Sequence, residues 1–401
     1  MVLTPRDDVL RAVRSYFESE RQDGRNRRTE VWRSLSDSFI RTADGSYTLE
    51  SDSGGEAMHT RSGAITESFE KFVRPSIPPD AEEIRVLDLC SGLGYNTAAL
   101  LEFTSAGEVT VDMVEVSPET MAAALIVPSP VKSHELVRAA YEDRLMDMGI
   151  VSVRASPPLP PEVTLRVHCG DARETLQKLE AEYYDAVFLD AFSPGVSPEL
   201  YTVEFLSQIA RVIKPDGVLA TYTSAAPLRS ALIDVGFHIG AGPVFGRKSA
   251  GTLASMDPSK IKEPLDWRDE RMVALSDAGV PYRDPTLSSD GETIIERRRL
   301  ERMVIRGVTR ISSAVKTPIY LGGSVEGDRI GRRVRRNLER MGISDLKGGE
   351  ALYIICPQLD ECVCGCGEER VTTSRERILS MRRRLLEVAS FRGMIQENSI
   401  W

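Results

Sequence analysis

Acidic residues close four short apolar runs: Asp88 in VLDLCSGLGYN, Glu115 in VTVDMVEV, Asp171 in VTLRVHCGDAR and Asp190 in YDAVFLDAFSP. Carboxylates only accept hydrogen bonds when ionised, so a ligand held among them must offer hydroxyls, amino groups or an ammonium. Gly92 and Gly94 follow the first run, and without a Cβ they let backbone come close to a ligand. Their spacing is D-x-x-x-G-x-G, unlike the G-x-G-x-x-G of a dinucleotide site. An acid ahead of the glycines suits a cofactor with a cationic amino-acid tail and no pyrophosphate, which describes S-adenosylmethionine. Glu115, roughly twenty residues further on, is then placed to take a ribose diol. Asp171, followed by Ala172, is placed to accept from an adenine amino group.

Asp190 opens a different stretch, LDAFSPGVSPELY. Pro194 and Pro198 deny the donors that a continuing strand needs, so the chain must leave the sheet as a preformed lip. On that lip a carboxylate can hold an amine, and the ring of Phe192 can hold a planar base. Tyr201 stands at the start of the next helix as a second stacking candidate, with core packing as its alternative. Tyr222, closing a fifth run in TYTSA, is a candidate for the same pocket.

A second constellation lies far along the chain. Cys356-x5-Cys362-x-Cys364-x-Cys366 offers four thiolates within eleven residues, enough for a tetrahedral zinc or an iron–sulfur cluster. Gly365 and Gly367 would free backbone amides to bond sulfur. Against a metal stands the spacing, which is not C-x2-C, and the alternation of a strand, which would send neighbouring thiols to opposite faces; reduced free thiols are the competing reading.

These groups need elements to hold them. IRVLDLC, VTVDMVEV, VTLRVHC, YDAVFLDAF and GVLATYT are short β-rich runs separated by helix-length segments, the pattern of a mostly parallel sheet covered on both faces. The expected class is α/β, a doubly wound, mostly parallel sheet with a helical N-terminal extension and a smaller C-terminal α/β module. Val9, Leu10, Val13 and Phe17 predict a helix over 6–21, and ITESFEKFV predicts another. Segment 117–162 reads as an insertion shaping the site, with a helix over HELVRAAYEDRLMDMG and the proline cluster SPPLPP. A helix is expected to start near Ser289. After it come strand TPIYL, glycine loop GGSVEG, helix DRIGRRVRRNLERMG, strand ALYIIC and a last helix opened by a Thr373–Glu376 capping box. GGSVEG and the earlier GAGPVFG are read as turns. Expected boundaries are 1–310 for the catalytic domain (extension 1–80, core 81–255, tail 256–310) and 311–401 for the accessory module.

Composition narrows the setting. The 401 residues carry 41% hydrophobic content, no run of about 18 apolar residues and no signal-peptide pattern, so a soluble cytoplasmic protein without membrane association is expected. Residues 1–255 hold 25 Lys+Arg against 37 Asp+Glu, net −12; residues 256–401 hold 26 against 23, net +3. Arginine runs at 297–299, 332–336 and 382–384 suit a polyanion, or else form solvated, salt-bridged helix faces.

Several stretches, taken in order, resemble a known family: GEAMHTRSGAITES, DLCSGLGYN, DAVFLDAFSPGVSPELYTVEFL, KPDGVLATYTSAAPLRSALIDVGF, GRKSAGTLAS and PYRDP. Together they are similar to the methyltransferase half of the bifunctional enzyme that completes 5-methylaminomethyl-2-thiouridine at the tRNA wobble position, and to its stand-alone relatives. The resemblance spans residues 54 to 285. It implies a Rossmann-like methyltransferase fold, S-adenosylmethionine as donor, Asp190, Phe192 and Pro194 around the acceptor, Tyr95 and Asn96 flanking the donor, and His59 and Gly63 in the approach segment. The family's flavin-dependent oxidase half has no counterpart, so the expectation is methylation alone, with no flavin. Nothing after about residue 310 matches the family.

The expected activity is therefore methyl transfer to an amine, with the aminomethyl group of a modified wobble uridine in tRNA as acceptor and Asp190 as the catalytic group. The alternatives are methylation of a protein side chain or small amine, an aminopropyl transfer, which the CSGLGYN loop disfavours, or a non-catalytic tRNA-binding scaffold.

Overall fold

The computed structural model describes residues 7–49, 61–246, 250–312 and 329–391. It divides into two compact units, one of residues 1–200, 207–223 and 242–255, the other of residues 201–206, 224–241 and 256–401. The division thus falls near residue 255, not near 310.

The first unit opens with α1 (Asp7–Asp23), which buries Val9, Leu10, Val13 and Phe17, the stripe the spacing predicts. After α2 (Arg28–Leu35) comes a small hairpin, β1 (Ile40–Arg41) with β2 (Tyr47–Thr48). The helix expected over ITESFEKFV is present in three pieces. α3 (Ala64–Ser68) passes through a π-helical turn at Phe69–Val73 into α4 (Arg74–Ser76).

The sheet follows. β3 (Glu83–Leu89) leads through the glycine loop into α5 (Tyr95–Phe103), β4 (Glu108–Glu115), α6 (Pro118–Ala124) and α7 (His134–Asp147). β5 (Val163–Cys169), α8 (Ala172–Leu176), β6 (Tyr184–Leu189), α9 (Val203–Val212) and β7 (Ile213–Thr221) continue the alternation. Of the seven strands, β8 (His238–Ala241) belongs to the second unit; the other six, closing with β9 (Thr252–Ser255), run in the order β5-β4-β3-β6-β7-β9. All neighbours are parallel except β9, which runs antiparallel along β7 at Leu219, Ala220 and Thr221. β3 is central, pairing Leu87 with Asp112 on one side and with Val187 on the other. Val86, Leu87, Leu89, Val187, Phe188 and Leu219 are wholly shielded, which is why their strands carry apolar residues on both faces. Each such side chain contributes about 1.5–3 kcal/mol by leaving water. Chain order moves outward from β3 to β4 and β5, then returns to the other side of β3 at β6, so the order switches where β3 and β6 end.

The second unit is mainly helical. It contains α10 (Ala226–Asp234), α11 (Trp267–Leu275), α12 (Gly291–Ile305), α13 (Arg329–Arg340), α14 (Gly349–Ile355) and α15 (Ser374–Phe391). Asp290 caps α12 through the Thr293 amide, one residue from the expected start. At α15 the capping box is complete: Glu376 N–H donates to Thr373 Oγ1 at 3.3 Å, and Thr373 N–H donates to Glu376 Oε2 at 3.2 Å.

One expected element is corrected. ALYIIC is not a strand: α14 covers it and buries Ala351, Ile354 and Ile355 at helical spacing. Described residues 329–391 therefore hold helices only, while TPIYL and GGSVEG lie outside the described residues. Among the described residues, no helix is long and apolar enough to cross a membrane.

Candidate functional site

The glycine loop is held by the helix that the sequence suggested only as an insertion. His134, Val137 and Tyr141 lie at i, i+3 and i+7, on one face of α7. The Tyr141 hydroxyl lies 2.9 Å from Ser91 Oγ and donates to the Gly92 carbonyl at 3.1 Å. His134 Nε2 meets the Leu93 carbonyl at 2.7 Å, and burial drives that imidazole down to about 3, so it is a neutral donor. Gly94 is left-handed at φ 81°, and a Cβ there would stand 2.3 Å from Val137. The glycine is thus required by packing against α7 as well as by the turn.

The acids divide into those at strand tips and one inside. Glu115 ends β4 with one oxygen accepting from Gly92 N–H and the other from Ser117 N–H, both at 2.9 Å. Its orientation is fixed by backbone while lone pairs remain for a diol. Asp171 follows β5 with its side chain 30% exposed, but it also caps α8 through the Arg173 amide at 2.8 Å and pairs with the Arg173 guanidinium at 2.8 Å. Ala172, the first residue of α8, is buried beside it.

Asp190 stands at the switch in strand order, its amide donating to the Leu89 carbonyl at 3.3 Å. Asn96 Nδ2 donates to its Oδ2 at 2.9 Å, so the amide at the start of α5 orients the carboxylate of the lip. Asn96 Oδ1 is buried without a protein partner, an acceptor left over at the same spot.

Asp88 differs from the expectation. It lies within β3, wholly buried, with Oδ2 taken by Thr97 Oγ1 at 2.7 Å and Oδ1 without a partner. Burial pushes its carboxyl up to about 7; the Thr97 hydrogen bond opposes the shift and the nearby charge of Asp190 adds to it. Asp88 therefore stands behind the rim, not on it. Tyr95 is likewise structural: its ring is buried and its hydroxyl donates to the Tyr47 carbonyl at 2.9 Å, tying α5 to the hairpin.

Around the lip, Phe192 is half-buried, Pro194 is buried, and Val196 and Ser197 N–H both return to the Ser193 carbonyl at 2.8 and 2.9 Å. The lip is a compact hydrogen-bonded turn, as the two prolines require. Tyr201 is fully buried and belongs to the second unit, so its ring packs in a core and is not a stacking platform. Tyr222 is nearly buried, with Lys71 Nζ 6.0 Å from its ring centroid. Lys71, inside the π-helical turn, and Glu67, just ahead of it, form a buried pair at 2.6 Å that escaped sequence reading. Gly63, at φ 137°, backs onto Asp44, whose Oδ2 a Cβ would approach to 2.5 Å. Burial would raise Asp44, yet hydrogen bonds from Ser46, Thr42 and the Thr66 amide prevail and hold it at about 2. His59 lies outside the described residues.

The rim thus presents Glu115, Asp171 and Asp190 at the tips of three strands flanking a glycine loop. Such a set suits a ligand carrying a diol, an exocyclic amine and an ammonium, the donor groups of S-adenosylmethionine, and disfavours a pyrophosphate. In the second unit the four clustered cysteines also converge, their sulfurs all within 4.8 Å of one another.

Comparison with known proteins agrees with this geometry. A family model described as S-adenosyl-L-methionine-dependent methyltransferase matches residues 132–257. An uncharacterized protein of Methanocaldococcus jannaschii is 36% identical over 306 residues, 75% of this chain and 83% of that protein. The crystal structure of MnmC2 from Aquifex aeolicus is 30% identical with a TM-score of 0.55, covering 74% of this chain and 99% of its own. The tRNA 5-methylaminomethyl-2-thiouridine biosynthesis bifunctional protein MnmC of Ralstonia nicotianae is 38% identical over 109 residues, 27% of this chain. The match spans only 15% of that bifunctional protein's length.

Proposed function

The chain belongs to the S-adenosylmethionine-dependent methyltransferases, in the family of MnmC2 from Aquifex aeolicus, and on that premise we propose that it methylates an amine: the aminomethyl group of a modified wobble uridine in tRNA. When bound, S-adenosylmethionine supplies a methyl group made electrophilic by its sulfonium. The chain's own contribution is placement. Glu115, fixed by two backbone donors, holds the diol; Asp171 and the Asn96 side chain offer further acceptors. Methyl transfer is an in-line displacement, so alignment of the acceptor supplies most of the acceleration.

The observation that carries the acceptor class is Asp190, a carboxylate on the lip held by Asn96 beside the end of β3. An aliphatic amine arrives mostly protonated at neutral pH. Asp190 orients the ammonium and takes up its proton, leaving the lone pair free to attack. The half-buried Phe192 ring supplies a face for the uracil, as unstacked RNA bases commonly use aromatic side chains. A tRNA acceptor is further supported by the exposed arginines 332, 333, 335 and 336 on α13 and by the similarity to MnmC, a tRNA 5-methylaminomethyl-2-thiouridine biosynthesis protein. The proposed reaction is the methyl transfer alone and invokes no flavin; its setting is the cytoplasm, where tRNA is modified.

The test is to incubate the purified chain with methyl-labelled donor and, separately, tRNA, other RNA and protein. Label is expected in the tRNA fraction, in a wobble nucleoside heavier by one methylene after digestion. Label confined to protein, or absent from every fraction, would overturn the assignment.

A further inference from the structure

We propose that Cys356, Cys362, Cys364 and Cys366 form a closed tetrathiolate site for a single zinc ion, closing the segment between α14 and α15 on itself. The methyl transfer does not involve this site, and the family model, matched at residues 132–257, does not reach it; the four cysteines lie wholly within the second unit.

The argument begins with distances. Cys362 Sγ lies 4.0 Å from Cys364 Sγ and 3.8 Å from Cys366 Sγ, and all four sulfurs fall within 4.8 Å of one another. Four thiolates bound tetrahedrally at about 2.3 Å from one zinc stand roughly 3.8 Å apart. The thiolates of a four-iron cluster bind four different irons and must be spread more widely. The spacing therefore selects a mononuclear site.

The unusual C-x5-C-x-C-x-C spacing has a local solution. No strand forms here, so the alternation that would separate neighbouring thiols does not apply. Gly365 and Gly367 are left-handed, at φ 76° and 66°, and turn the chain after each of the last two cysteines. The amides of Cys364, Gly365 and Gly367 all lie close to the Cys362 sulfur. Backbone donors aimed at sulfur stabilise thiolate ligands and hold them in position.

The surroundings supply charge as well. Zinc with four thiolates carries a net charge of about −2. Arg384, 1% exposed, places Nη2 3.3 Å from Cys366 Sγ and Nη1 3.7 Å from Cys364 Sγ, while Nη1 also donates to the Tyr353 carbonyl at 2.7 Å. Arg370 Nη1 and Nη2 both lie 3.6 Å from Cys356 Sγ. Two guanidiniums thus offset that charge, and Glu368, bonded to Arg384 at 2.7 Å, fixes the buried one.

The site is closed, with four protein ligands and no open position, so its role is structural. The test uses the full-length protein purified without chelator. Elemental analysis should find about one zinc per chain, and Cys362→Ser and Cys366→Ser should each lower that at least tenfold. Cobalt replacement should give the intense visible absorption of a tetrahedral tetrathiolate. Because a serine variant can fail to fold, the native protein is also treated with a thiol-reactive mercurial while released zinc and the melting temperature are followed together; both should change in one step. Negligible zinc with four freely reactive thiols would overturn the proposal, as would iron with inorganic sulfide or a weak octahedral cobalt spectrum.

Discussion

The two units use charge in opposite ways. In the first, carboxylates sit at strand tips held by hydrogen bonds: Glu115 by two backbone amides, Asp190 by the Asn96 side chain, Asp171 as a helix cap. In the second, arginines dominate, and most are spent internally. Arg298 donates to the Val280 and Ala278 carbonyls, Arg299 pairs with Glu296, and Arg382 pairs with Asp234. Two of the three arginine runs are therefore fastenings of the helical unit. In the run on α13, Arg332, Arg333, Arg335 and Arg336 are exposed beside buried Val334 and Leu338. Charge density read from sequence does not separate a grip from a fastening; the surroundings of each side chain do.

The sharpest way to break that contrast is at Asp190. Asp190→Asn keeps the shape and the Asn96 neighbour but cannot accept the amine's proton. Turnover on the amine acceptor should fall by about 10²–10⁴-fold, with donor affinity changed less than about threefold as measured by calorimetry. Equal loss of both would make Asp190 a donor-site residue.

Next in size is the α13 face. Replacing Arg332, Arg333, Arg335 and Arg336 together by Gln should weaken tRNA binding and lower the slope of log affinity against log salt by up to about 3, since each phosphate contact contributes about 0.7–0.9. Donor affinity should not move. An unchanged slope would return these arginines to the solvated-face reading.

A smaller effect is expected at the loop clamp. Tyr141→Phe removes the hydroxyl that meets Ser91 and Gly92. It should cost about 1–2 kcal/mol in denaturant unfolding and weaken donor binding severalfold without altering the tRNA salt slope. Loss of tRNA binding instead would mean the clamp does not act on the donor loop.

Much of this arrangement was legible in the sequence, for physical reasons. β3, β4, β6 and β7 declared themselves because strands buried largely on both faces are rich in apolar and β-branched residues, and β5, half-exposed at the sheet edge, by its alternation; the acids closing these runs are conspicuous against that background. The Pro194–Pro198 lip was legible because proline removes donors. ALYIIC misled because Tyr, Ile and Cys favour strands, whereas the spacing of Ala351, Ile354 and Ile355 carries the helical signal. The clamp was missed because His134 and Tyr141 look like ordinary members of a helix; their partners are backbone carbonyls that no sequence displays. Asp88 was placed at the rim because position in a motif does not reveal depth in a sheet.

Depth gives the last and smallest prediction, in which Asp88 and His134 oppose each other. Burial raises Asp88 to about 7, so between an ordinary carboxyl value of about 4 and that value the folded chain keeps a proton the unfolded chain has lost. Stability from this group falls as pH rises through that window. Burial lowers His134 to about 3, so between that value and about 6.5 the unfolded chain holds a proton the folded chain lacks, and stability rises with pH. Each slope is at most about 1.4 kcal/mol per pH unit, and from about pH 4 to 6.5 they offset. Single substitutions should separate them. Relative to the unaltered protein, the melting temperature of Asp88→Asn should climb as pH rises through that window, and that of His134→Gln should descend. Curves that stay parallel to the unaltered protein would show that neither group holds its proton as its burial requires, and would remove the reason for placing Asp88 behind the rim.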